Sequence, residues 1–178
     1  MPMLNSKSIQ KMKITKRATI IFLVLISCIG CDQVTKNIAK HSLPKFETIS
    51  FLNDTLRFQY AENQGAFLSL GANIPENIRY LVLTCLVAGF LLLLLTYLIK
   101  TKRIKNSTTA ALSFILAGGT GNLIDRIFNE GRVIDFMNIG IGPIRTGVFN
   151  IADIAVTIGT IWFIFLSIRH RNKNEKTI

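Results

Sequence analysis

The chain has 178 residues, 49% of them hydrophobic, a mean hydropathy of +0.41 and a formal net charge of +11. Apolar residues in that proportion, gathered into long blocks, exclude an ordinary soluble domain of this size. The basic excess raises nucleic acid as a partner, and the placement of the charges excludes it. Lys7, Lys11, Lys13, Lys16 and Arg17 precede the first apolar block, Lys100, Lys102, Arg103 and Lys105 share one short loop, and Arg169, Arg171, Lys173 and Lys176 follow the last block. A single acid, Glu175, shares those segments. This is the positive-inside pattern of a membrane protein, with the basic segments facing the cytoplasm and anionic lipid headgroups.

In chain order, residues 1–17 form a basic cytoplasmic extension, disordered or interfacial. A membrane domain follows over residues 18–168, with spans at about 18–36, 80–99, 108–127 and 148–168. A basic cytoplasmic tail closes the chain at 169–178. The opening of the first span, ATIIFLVLISCIGC, also reads as a lipoprotein leader with Cys31 as its acylated residue. Cys28 stands where such leaders usually carry Leu, and three further spans follow, so a transmembrane helix is the favoured reading. Cys28 and Cys31 make a C-x-x-C without a second pair, which reads as small buried hydrophobes rather than a metal or redox site. Asp32 falls in the outer third of the membrane, because Arg17 to Asp32 rises about 22 Å as a helix.

Between the first two spans, Thr48–Leu52 and Leu56–Tyr60 carry β-formers around an Asn53-Asp54 turn, predicting a hairpin. Gly65, within ENQGAF, offers close backbone approach or positive φ. The second span, from Tyr80 to Ile99, reads as a lipid-facing scaffold. The third is rich in small residues, Ala117, Gly118, Gly119 and Gly121 among them, which let helices approach closely. It ends in Asn122, Asp125 and Arg126 on one face. A short outer connection holds Asp135, and the fourth span carries Asn150 and Asp153 in its first turns.

Acids at the mouth of membrane helices read as functional, and isolated charges there require partners. Asp32 with Lys36 at i, i+4 forms one pair, and Asp125 with Arg126 braces the connection. Asp135 and Asp153 lack a neighbouring cation in sequence. Two readings stand for them: polar caps at the ends of their elements, or a catalytic pair sharing one proton, in which the charged acid deprotonates water and the neutral one polarises a carbonyl. Neither His41 nor His170 lies near the cluster, so a serine nucleophile finds no base, and the chain carries no H-E-x-x-H or P-loop; metal binding by the Asp/Asn cluster, through oxygen ligands alone at a lipid-adjacent site, is the lesser alternative. A transporter or channel subunit using the acidic cluster is the competing function. It expects acids spread through the membrane depth, whereas these lie on one side.

Five short motifs stand in order: D-Q-x-x-K at Asp32–Lys36, N-x-G-A-F at Asn63–Phe67, G-N-x-x-D-R at Gly121–Arg126, V-I-D-F at Val133–Phe136 and F-N-I-A-D at Phe149–Asp153. Together, over about residues 14–170, they resemble bacterial lipoprotein signal peptidase, signal peptidase II. The resemblance implies a membrane all-α fold, a four-transmembrane-helix bundle with a small extracytoplasmic β-sheet cradle and a short helix near ENQGAF. It implies an intramembrane aspartic endopeptidase of the bacterial cytoplasmic (inner) membrane, both termini cytoplasmic and the active site near the outer leaflet. The enzyme cuts diacylglyceryl-modified prolipoproteins before the lipidated cysteine, with no metal or organic cofactor. Matched to the motifs, the catalytic pair falls on Asp135 and Asp153. Substrate-binding or site-shaping roles fall on Asp32, Lys36, Asn63, Gly65, Asn122, Asp125, Arg126 and Asn150. Membrane lipids and globomycin-type inhibitors are the further implied partners.

Overall fold

The computed structural model describes residues 6–65, 75–101 and 104–175. Its elements run α1 (Ser6–Ser42), β1 (Ile49–Phe51), β2 (Leu56–Asn63), α2 (Glu76–Lys100), α3 (Asn106–Phe128), β3 (Val133–Ile141), β4 (Ile144–Arg145) and α4 (Ile151–Glu175). Three helical stretches are long and apolar enough to cross a membrane: Thr15–Ser42, Ile78–Lys100 and Ile151–Arg171. Helix α1 begins at Ser6, so the described part of the basic extension is helical rather than disordered. A nucleated helix adds one hydrogen bond per residue it takes up, and Lys, Gln and Met are good helix formers. The same helix runs unbroken through Cys31 to Ser42.

The fourth helix, α3, is not among those three apolar stretches, and its position explains why. It packs against α1, α2 and α4 and is the most enclosed helix of the bundle. A helix surrounded by protein needs small residues rather than large apolar ones. A Cβ on Gly118 would lie 2.3 Å from the Ala152 carbonyl oxygen, and one on Gly159 would lie 2.6 Å from the Ala111 carbonyl oxygen. Both glycines therefore sit where α3 and α4 touch backbone to backbone. Leu91 and Leu98 of α2 meet Leu112 and Leu116 of α3 in an apolar core. Meanwhile Phe22, Leu86, Leu93, Ile161 and Phe165 face outward, and Asp32, Lys36 and Asn150 are buried. Apolar surface outside and polar groups inside is the distribution that lipid imposes.

One end of the bundle carries a four-stranded antiparallel sheet in the order β1-β2-β3-β4. The expected hairpin is present, Ile49 facing Phe58 and Phe51 facing Leu56. Its turn takes Leu52, Asn53 and Asp54 through positive φ, and Arg57 holds the Asp54 carboxylate. That contact and the Ser50 hydroxyl keep the Asp54 carboxyl well below the usual carboxylate range. The short helix expected near ENQGAF falls on residues that, from Ala66 onward, lie outside the described ones.

Candidate active site

The polar centre forms where the C-terminal end of α3, the N-terminal end of α4, the middle of α1 and strands β2 and β3 come together. Strand β3 delivers Asp135, opposite Ala61 of β2, which places Asn63 diagonally beside it on the same face. Asn63 Nδ2 donates to Asp135 Oδ2 at 3.0 Å. Beyond β3 an isolated bridge pairs Met137 with Phe149, with reciprocal backbone bonds of 2.9 and 2.8 Å. This bridge brings the start of α4 directly against Asp135.

Asn150 and Asp153 open α4 as a capping box. The Asp153 backbone N–H donates to Asn150 Oδ1 at 2.9 Å, and the Asn150 N–H donates to Asp153 Oδ2 at 3.1 Å. Asn150, fully buried, then spends its Nδ2 group on Asp135 Oδ1 at 2.6 Å and on Asn122 Oδ1 at 3.1 Å. Asn122 Nδ2 donates to Asp153 Oδ1 at 2.8 Å. Two amides thus join the two carboxylates into one network. Asp153 thus caps α4 and, through the two amides, shares one network with Asp135. Burial, and to a lesser degree the Asp153 charge, push the Asp135 carboxyl up to about 6, against the lowering effect of the Asn63 hydrogen bond.

A second group braces this network. Lys36 Nζ lies 2.8 Å from Asp32 Oδ2, 2.9 Å from Asp125 Oδ2 and 3.0 Å from Asn122 Oδ1. Asp32 Oδ1 accepts the Ala152 N–H at 2.9 Å, in the first turn of α4, where a helix dipole favours a carboxylate. Asp125 Oδ2 accepts the Ile134 N–H at 3.0 Å, pinning β3 to α3. The ion pair of Asp125 is therefore with Lys36, whose reach across the bundle no sequence neighbourhood reveals; the expected bracing of the connection is achieved through Ile134. Arg126 Nη1 donates to its own helix at the Asn122 carbonyl, 3.2 Å away, and its Nε is buried without a hydrogen-bond partner. Gly65 takes φ +78°, and its N–H donates to Asn63 Oδ1 at 2.8 Å, closing the turn after β2.

All ten expected site residues stand in or beside this centre. Sequence reasoning passed over Gln33, whose Nε2 donates to Asp125 Oδ1 at 3.0 Å and to the Gly121 carbonyl at 3.2 Å. Its position inside D-Q-x-x-K was the available signal.

Helices apolar on the outside around a carboxylate-rich interior define a membrane protein with a built internal site. Two solved structures similar to it are described as bacterial membrane enzymes studied by the in meso method. One, at 2.3 Å, has TM-score 0.72 and 27% identity, covering 86% of this chain and 90% of that one. The other, at 1.9 Å, has TM-score 0.69 and 28% identity, covering 82% and 90%. The family model described as Signal peptidase (SPase) II matches residues 23–169, and the chain belongs to that family. The lipoprotein signal peptidase of Borrelia hermsii (strain HS1 / DAH) is 33% identical over 161 residues, 88% of this chain and 92% of the relative. That of Chlorobium phaeobacteroides (strain DSM 266 / SMG 266 / 2430) is 36% identical over 137 residues, 72% and 77% of the two. These likenesses support a membrane location and a peptidase, and they lend no support to the transporter or channel reading.

Proposed function

We propose that the protein is an intramembrane aspartic endopeptidase that removes signal peptides from diacylglyceryl-modified prolipoproteins, cutting before the lipidated cysteine. Asp135 and Asp153 are its catalytic pair. The observation that carries this reading is that both carboxylates, from different elements, converge on the single residue Asn150. Asp135, with its carboxyl pushed up to about 6, is suited to hold the shared proton and polarise the scissile carbonyl. Asp153 takes a proton from water as the water oxygen adds to the carbonyl carbon. That proton passes to the departing amine as the C–N bond breaks.

The remaining residues hold this pair in place. Asn122 and Asn150 fix the carboxylates, Asp32, Lys36 and Asp125 lock α1 and β3 to α3, and Asn63, Gly65 and Arg126 border the substrate side. No metal or organic cofactor takes part. Helix α3 is the fourth crossing, since Lys105 to Asp125 rises about 30 Å. The basic ends support a topology with both termini in the cytoplasm and the active site near the outer leaflet of a bacterial inner membrane. A substrate anchored by two acyl chains enters sideways through lipid, and its anchoring orients the scissile bond. Globomycin-type cyclic depsipeptides are expected to block the pair.

The test is cleavage of a diacylglyceryl-modified precursor peptide by purified protein. Asp135→Asn and Asp153→Asn are each expected to fold and to lose about 10³-fold or more of the rate. Near-wild-type cleavage by either variant would overturn the assignment.

A further inference from the structure

At the opposite end of α3 and α4 from the polar centre lies a cavity of about 520 Å³, bounded by α2, α3 and α4. Helices α2 and α4 each pack on α3 without close backbone approach to one another, which leaves a lateral gap between them. The apolar wall of the cavity is Tyr97, Phe163 and Leu166. Its basic rim is Lys105, Arg169 and His170, and among the described residues that line it there is no carboxylate. Tyr97 lies within the last turn of the stretch Ile78–Lys100, and Arg169 lies near the end of Ile151–Arg171. The cavity therefore sits at the depth of the lipid headgroups. Arg169 is about 24 Å along α4 from Asp153, so the cavity is no part of the catalytic site.

Two further features suit the same occupant. Lys105 caps α3 without a side-chain hydrogen bond, so the start of that helix lies beside the basic rim with no capping side chain from Lys105. Arg17 of α1 reaches the carbonyl oxygens of Ile99, at 2.8 Å, and Thr101. It satisfies the end of α2 and leaves Lys105 and Arg169 to face the cavity.

We propose that this cavity is a binding site for one anionic glycerophospholipid. Its phosphate lies between Lys105 and Arg169, and its acyl chains run out through the gap between α2 and α4 along Phe163 and Leu166. Charge complementarity selects the anionic headgroup, and the apolar wall selects a lipid over a soluble phosphate.

The full-length protein is stripped of lipid in detergent, then titrated with phosphatidylglycerol or phosphatidylcholine, and bound lipid is counted by native mass spectrometry. Wild type is expected to prefer phosphatidylglycerol, and inorganic phosphate is expected not to displace it. The double variant Lys105→Ala/Arg169→Ala is expected to lower that preference about tenfold or more. Lys40→Ala, which removes a basic charge near the other end of the bundle, is expected to leave it intact. Equal binding of the two lipids, an unchanged preference in the double variant, an equal loss in Lys40→Ala, or displacement by phosphate would each overturn the proposal. On unaltered protein, a phosphatidylglycerol with a photoactivatable acyl chain should crosslink at Phe163 or Leu166. Crosslinks confined to other surfaces would refute the site even if the double variant failed to fold.

Discussion

Replacing Lys36 by Met tests the brace on which the site rests. The Lys36 side chain is 2% exposed, and its ammonium group touches two carboxylates, of Asp32 and Asp125, whose side chains are 1% and 3% exposed, as well as the Asn122 amide. Met keeps the length and fills the same space, and the lysine methylenes are already buried, so little apolar area is gained or lost. What changes is that two buried carboxylates lose their shared cation. Removing one partner of a buried ion pair costs about 3–5 kcal/mol, against about 0–1 kcal/mol for an exposed pair. We expect Lys36→Met to lose about 3 kcal/mol or more. Adding Asp32→Asn should restore part of that, because the amide oxygen can still accept the Ala152 N–H while one stranded charge is gone. Equilibrium unfolding in mixed micelles can be followed by the fluorescence of Trp162, the single tryptophan, whose ring lies 6.4 Å from that of Phe114 across the α3–α4 contact. A loss below about 1 kcal/mol would refute the reasoning. So would a double variant no more stable than the single one.

Two other expectations follow from the geometry. Gly118→Ala drives a methyl group into the Ala152 carbonyl and Val156, and should cost about 1–3 kcal/mol by the same unfolding measurement, whereas Gly30→Ala, with nothing within 4 Å, should be neutral. Because the Asp135 carboxyl is raised from the ordinary 3.8 to about 6, the folded state holds that proton more tightly than the unfolded chain. Its contribution to stability is then fully present below about pH 4 and is lost as pH rises through about 6. The Asp54 and Glu62 carboxyls, held low, act in the opposite sense in acid, so the comparison is between wild type and Asp135→Asn. The variant should lack the decline between about pH 4 and 6 in its unfolding midpoint, and superimposable profiles would contradict the assignment.

Local pattern carried much of this architecture. Asp32 and Lys36 pair as their i, i+4 spacing predicts. The hairpin follows its turn residues, and the small residues of the third helix mark its close contact with α4. What local pattern missed depends on distance along the chain. The partnership of Lys36 with Asp125 joins residues on α1 and α3, and Gln33 reaches Asp125 in the same way. The bridge between Met137 and Phe149 seats α4 against β3, yet neither residue is unusual in its own neighbourhood. Asn150 and Asp153 were legible as polar residues on one face. Their reciprocal capping was not drawn from that spacing, although N-x-x-D before an apolar run is compatible with it. Helix α3 lacks a long stretch as apolar as those in the other three because protein, rather than lipid, surrounds most of it.

The arrangement around α1 also bears on how the polypeptide is made. The ribosome delivers Asp32 and Lys36 to the bilayer long before Asp125, Asn122 or the start of α4 has been synthesised. Standing one helical turn apart, the acid and the base neutralise each other while α1 waits alone. In the folded chain Lys36 also holds Asp125, and the second oxygen of Asp32 accepts the Ala152 N–H at the start of α4. An acid and a base one turn apart on the same helix lower the cost of carrying either charge into a bilayer, whatever the later helices add.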